Sequence, residues 1–84
     1  MLSEIKFVLH DKSAIKKIIA KNVGIKIKTI RKTYKVSGFI LAGFIGVSQQ
    51  QLSKYENGHN DIPISKIILI ALYFSVDINY FITK

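Results

Sequence analysis

Gly46 sits between two short segments that each carry their own helix-start signal, and this arrangement constrains the chain most. The stretch Val36 to Gly58 reads V-S-G-F-I-L-A-G-F-I-G-V-S-Q-Q-Q-L-S-K-Y-E-N-G. Ser37 is placed to cap a first helix, in which Phe39, Ile40, Leu41, Ala42, Phe44 and Ile45 are apolar. Gly46 falls where that helix must end through the left-handed region, a conformation that costs a residue with a Cβ. Ser48 then caps a second helix, because its hydroxyl can accept from an otherwise unpaired N–H of the first turn. In this second helix Leu52 and Tyr55 lie three apart on one face. Gln49, Gln50, Ser53 and Lys54 lie towards the other, and no carboxylate occurs before Glu56.

A short helix with one greasy face and one face of long hydrogen-bonding side chains suits the DNA major groove. A glutamine amide presents a donor and an acceptor together, which matches adenine N6 and N7. Side chains near the start of such a helix reach base edges, so Gln49 and Gln50 are the base-reading candidates. Lys54, one turn later, can reach guanine O6 or N7, or a phosphate. The formal net charge of +8 favours a polyanionic partner through phosphate neutralisation and counterion release. A lysine-rich composition has other origins, so charge alone does not decide the matter.

The chain of 84 residues is long enough for one small domain and one core. With no cysteine, neither a disulfide framework nor a cysteine-containing zinc site can reinforce that core. The longest greasy run, Ile67 to Phe74, is too short to span a bilayer. Glu4 and Asp11 flank the apolar N-terminal residues without a small-residue cleavage site, so the expectation is a cytoplasmic protein without a signal peptide. His10 and His59 have no cluster of ligands around them, and no metal or cofactor is expected. Paired carboxylates, a nucleophile with an orienting base and a glycine-rich phosphate loop are all missing, which argues against an enzyme.

Elsewhere the pattern is helical. Residues 1 to 12 read as a short helix or an ordered arm. Ser13 is the expected cap of a following helix, whose buried face is Ile15, Ile18, Ile19, Val23, Ile27, Ile30 and Tyr34. That face can run unbroken from Ala14 to about Tyr34, yet Gly24 costs close to 1 kcal/mol against alanine there. A break around Asn22 to Gly24 competes with the unbroken helix. Lys16, Lys17, Lys21, Lys28, Thr29 and Lys32 form the opposite face, and Lys28, Lys32 and Lys35 lie nearest the second helix of the pair. Pro63 marks the start of a further helix from about Ile64 to Phe74. Asp77 is placed to cap a last short helix through Ile82.

These features together resemble the helix-turn-helix of the Cro/C1 phage-repressor family, also called the XRE family. The matching residues are Ala42, Gly46-Val47-Ser48, Leu52 and Tyr55-Glu56-Asn57-Gly58. The likeness continues through Gly24-Ile25, Ile27, Ile30 and Arg31, and on through Ile67, Ile70-Ala71 and Tyr80-Phe81. It implies an all-α, lambda-repressor-like DNA-binding domain of five or six short helices. On this division, residues 1–22 are an N-terminal extension and residues 24–82 the family-like core of a single domain. It also implies base contacts from Gln49, Gln50, Ser53 and Lys54, and phosphate contacts from Lys28, Lys32, Ser48, Gln51 and Asn57. Arg31, the single arginine beside twelve lysines, is implied to pair with Glu56, a use for which its planar fork suits it better than lysine.

Two departures stand out. Many phage repressors have a phosphate-binding glutamine at the position of Gly38, and relatives often carry a basic residue at that of Asp61. Ser37-Gly38 with Ser48-Gln49-Gln50-Gln51 is also similar to the MrpJ group, small regulators encoded with fimbrial operons that act on motility genes. The function so implied is a sequence-specific transcriptional regulator that binds double-stranded DNA at an inverted repeat as a homodimer. Apolar residues left over after the core is assigned, Ile68, Leu69, Leu72 and Tyr73 with Tyr80 and Ile82, are the expected dimer interface. One alternative is the antitoxin of a toxin–antitoxin pair, disfavoured by the lack of a disordered tail. Another is a protein-interaction module that has lost DNA reading, suggested by Gly38 and Asp61.

Overall fold

Asp11, not Ser13, starts the first helix. In the computed structural model, which describes residues 11–83, Asp11 Oδ1 accepts from the Ala14 N–H at 3.1 Å. The Asp11 carbonyl takes the Ile15 N–H. A carboxylate caps as well as a hydroxyl, so the helix begins earlier and Ser13 falls inside its first turn. The reading of residues 1 to 10 lies outside the described residues.

Five helices follow in chain order: α1 (Lys12–Thr33), α2 (Gly38–Ile45), α3 (Gln49–Glu56), α4 (Ile64–Phe74) and α5 (Asn79–Ile82). No strand occurs among the described residues, as the all-α expectation requires. The first helix is not short. It runs 22 residues straight through Asn22 to Gly24, where a break was the competing expectation. Gly24 serves packing here. A Cβ on it would lie 2.3 Å from the Tyr55 carbonyl oxygen and 2.6 Å from that of Glu56, so only glycine lets α1 touch the end of α3.

The buried face of α1 is narrower than its apolar spacing suggests. Ala20, Val23, Ile27 and Ile30 are buried, but Ile19 and Tyr34 are exposed. At 1.5 Å per residue α1 spans about 33 Å, far longer than α3 or α5, against which it packs. The core draws at least one fully buried side chain from every helix: Ile27, Leu41, Ile45, Leu52, Ile70 and Phe81.

Helices α1 to α4 all end in the same way. One residue enters the left-handed region, and the next donates its N–H back five residues. The left-handed residues are Lys35, Gly46, Gly58 and Ser75. The return bonds are Val36 to Arg31, Val47 to Ala42, His59 to Lys54 and Val76 to Ala71. This Schellman closure pairs carbonyls the helix would otherwise leave open. Val36, Val47 and Val76 then turn inward against the core.

Pro63 stands just before α4, where its carbonyl accepts from Lys66 and Ile67. Asp77, the expected cap of α5, stands one residue too early: Ile78 holds the cap position without a side-chain bond, and Asp77 Oδ1 accepts from the Asn79 N–H at 2.8 Å. Lys26 Nζ reaches the Thr83 carbonyl and lies 5.3 Å from the centre of the Tyr80 ring, tying α5 to α1. No helix among the described residues is long and apolar enough to cross a membrane.

Candidate nucleic-acid interface

The two serine caps form as their spacing predicts. Ser37 Oγ accepts from Ile40 N at 3.1 Å, and Ser48 Oγ from Gln51 N at 3.0 Å. Gly46 has φ +75° between them. Lys66 Nζ, reaching over from α4, donates to the Ile45 carbonyl at 2.8 Å and fixes the turn from the other side.

Helix α3 divides sharply between its faces. Leu52, Tyr55 and Glu56 are buried, whereas Gln49, Gln50, Ser53, Lys54 and Asn57 are exposed. The buried face includes a carboxylate, and its position is explained by Arg31. Arg31 Nε donates to Glu56 Oε2 at 2.6 Å and Nη2 to Oε1 at 3.0 Å, a bidentate pair. Nη1 of the same guanidinium donates to the Val36 carbonyl at 3.0 Å. The two side chains are only 14% and 6% exposed. The bond to Glu56, with its charge, pushes the Arg31 guanidinium above its already high ordinary value, against burial, which lowers it. One arginine thus joins α1, the α1–α2 turn and α3.

The exposed side chains differ in how free they are. Gln50 and Lys54 make no side-chain hydrogen bond among the described residues, and neither does Gln49. Asn57 Nδ2 donates to Ser53 Oγ at 3.3 Å, so these two are partnered along the helix. Gln51 Nε2 donates to Asn60 Oδ1 at 3.2 Å, which turns this half-buried glutamine towards the loop after α3. Ser48 is occupied as a cap. Lys28 and Lys32 are exposed one turn apart on α1, on either side of the Arg31 position.

Each acidic side chain among the described residues already has a partner. Asp11 caps α1, Asp77 accepts from the Asn79 N–H, and Glu56 is neutralised by Arg31. Asp61 lies 3.8 Å from Lys16, an exposed pair contributing about 0–1 kcal/mol. Glu4 lies outside the described residues.

The apolar surface differs from the expected set. Ile68, Leu72 and Ile82 are exposed, Leu72 to 67%. Leu69, Tyr73 and Tyr80 are instead partly buried against the core. Phe39, Ile40, Phe44 and Ile64 are exposed as well, Phe39 to 70%. The Phe44 ring meets that of Tyr73 edge-on at 4.9 Å, so the α2 and α4 surfaces are joined. Sequence reasoning missed the α2 part, although the nearly all-apolar composition of that helix was the available signal.

Residues 41–81 match the family model described as helix-turn-helix. The matched segment is a helix-turn-helix, and the all-helical fold around it is lambda-repressor-like. The chain is 40% identical over 60 residues to an uncharacterised transcriptional regulator in the ATPase CF(0) region of Rhodospirillum rubrum, covering 71% of this chain and 56% of that protein. It is 39% identical over 59 residues to an uncharacterised HTH-type transcriptional regulator of Rickettsia conorii, covering 70% and 47%. It is also 35% identical over 54 residues to the antitoxin PezA of Streptococcus pneumoniae, covering 64% and 34%. The chain thus spans between a third and just over half the length of these relatives. No solved structure matches.

Proposed function

We propose that this chain is a sequence-specific DNA-binding transcriptional regulator that inserts α3 into the major groove. One observation carries the proposal. An exposed row of Gln49, Gln50, Ser53 and Lys54 is held on a helix whose opposite face is locked down by Leu52, Tyr55 and the Arg31–Glu56 pair. Gln49 and Gln50 address adenine edges, and Lys54 a guanine or a phosphate. Lys28, Lys32 and Asn57 contact the backbone. Ser48 and Gln51 border it, although their side chains also serve the fold. The net charge of +8 and the relatives named as transcriptional regulators support the same assignment.

The DNA-bound form is a homodimer on an inverted repeat. A single recognition helix covers few base pairs, and two copies related by a twofold axis read half-sites one helical turn apart. The exposed Ile68 and Leu72 on α4, with Ile82, supply the surface that joins the copies. The narrower likeness to the MrpJ group finds no counterpart in the relatives' names, and motility or fimbrial genes are not assigned as targets.

The decisive experiment is selection of bound fragments from random DNA, followed by titration against salt. A preferred inverted repeat is expected, with each of Gln49→Ala and Gln50→Ala relaxing one or two base pairs by about 1–3 kcal/mol. Lys28→Ala and Lys32→Ala should weaken all sequences alike and reduce the salt slope by about 0.9 per phosphate contact. Selection that returns no preferred sequence refutes the proposal.

The match to antitoxin PezA favours a second reading, in which the domain belongs to a toxin–antitoxin pair. It predicts a neighbouring toxin gene and a stable complex with its product. A module that has lost DNA reading has less support. Asp61 lies beside Lys16, and Gly38 leaves room for a side chain of α3, so both departures are compatible with an intact α3 face.

A further inference from the structure

Gly38 opens α2, and the first residue of α3 lies directly over it. A Cβ built on Gly38 would stand 3.5 Å from Gln49 Nε2 and 3.7 Å from Gln49 Cγ, with Arg31 Cζ at 3.9 Å. The exposed Gln49 side chain therefore passes over Gly38. It lies across the start of α2, beside a guanidinium whose three nitrogens each donate to Glu56 or Val36. Its amide makes no hydrogen bond to the described residues, so its donor and acceptor both remain available.

We infer that Gly38 is a specificity-determining position, acting by seating the Gln49 amide in the orientation that meets a base. This rests on the proposal that α3 reads DNA. The space over Gly38 is graded. Distances of 3.5–3.9 Å are ordinary contact, so the methyl of an alanine fits without displacing the amide. Any γ atom pointing the same way enters the volume the amide occupies. A β-branched side chain has the fewest rotamers that avoid it. Holding the amide in advance reduces the side-chain entropy lost when it meets a base. Residue 38 thereby acts on base choice through Gln49 without touching a base itself.

The test has one arm without DNA and one with it. In the free protein, nuclear Overhauser contacts are expected between the Gln49 side-chain amide protons and Gly38 Hα. Their absence overturns the seat, whatever the protein does to DNA. With DNA, competition binding compares wild type, Gly38→Ala, Gly38→Val, Gln49→Ala and the Gly38→Val/Gln49→Ala double variant, each checked for folding by thermal melting. Gly38→Ala should keep the wild-type preference. Gly38→Val should lose about 5- to 150-fold discrimination at the pair read by Gln49, as Gln49→Ala does. The double variant should lose no more than either single. A Gly38→Val protein with the wild-type preference, or losses that add, overturns the inference while α3 still reads DNA. A wild type with the Overhauser contacts but no base preference refutes DNA reading itself, and the role of Gly38 with it.

Discussion

Separating Arg31 from Glu56 should cost more than any exposed ion pair could. An exposed pair contributes about 0–1 kcal/mol, whereas stranding one partner of a buried pair costs about 3–5 kcal/mol. With side chains 14% and 6% exposed and two short bonds between them, this pair belongs to the second class. The two single variants should also differ. Glu56→Leu leaves an arginine that keeps its bond to the Val36 carbonyl and has a partly open route to water. Arg31→Met leaves a carboxylate with almost none, so it should be the worse of the two. Typical stabilities for 84 residues are about 4–13 kcal/mol, so Arg31→Met removes a large share of the total. Urea unfolding with sulfate in all samples would keep the variants measurable. The double variant Arg31→Met/Glu56→Leu should recover part of the loss, giving a coupling of about 2–3 kcal/mol. Additive single losses would show that the guanidinium and carboxylate do not depend on each other. On the pH axis, Arg31 is raised in the fold, so its share of stability is complete below its ordinary value and lost only at extreme alkalinity.

Gly24→Ala should destabilise the protein by about 1–3 kcal/mol despite the better helix propensity of alanine, because the new Cβ meets two backbone oxygens of α3; chemical denaturation would check it, and a gain would refute the close approach. Ser75→Gly should raise stability by about 0.5–1 kcal/mol, since Ser75 holds φ +55° and a left-handed residue with a side chain is strained by about 1–2 kcal/mol before the entropy of glycine is charged against it. Thermal melting reads that change, and an unchanged or lower midpoint counts against it. Leu72→Lys should leave the fold intact, because the side chain is 67% exposed, and should yield a monomer with weak half-site binding. Sedimentation decides this, and a Leu72→Lys protein that stays dimeric places the interface elsewhere.

Local chemistry settled the elements whose causes lie within a few residues. Ser37, Gly46 and Ser48 mark the ends of α2 and the start of α3 because caps and left-handed turns need particular side chains at particular offsets. The division of α3 into Leu52 and Tyr55 against Gln49, Gln50, Ser53 and Lys54 follows from helical spacing alone. The fate of Gly24 was not readable in this way. Propensity marks it as a weak point of a helix, and only the approach of the Tyr55 and Glu56 carbonyls, some thirty residues on, shows it to be a contact surface. Exposure was equally a matter of tertiary structure. Ile19 and Tyr34 share the period of Ile27 and Ile30 yet remain exposed, Tyr34 with its ring 5.6 Å from that of Phe74. Leu69 and Tyr73 look like surplus beside Leu72 but reach the core, since α2 lies along their side of α4. Periodicity gives a residue its face; which faces are covered depends on where the other helices lie.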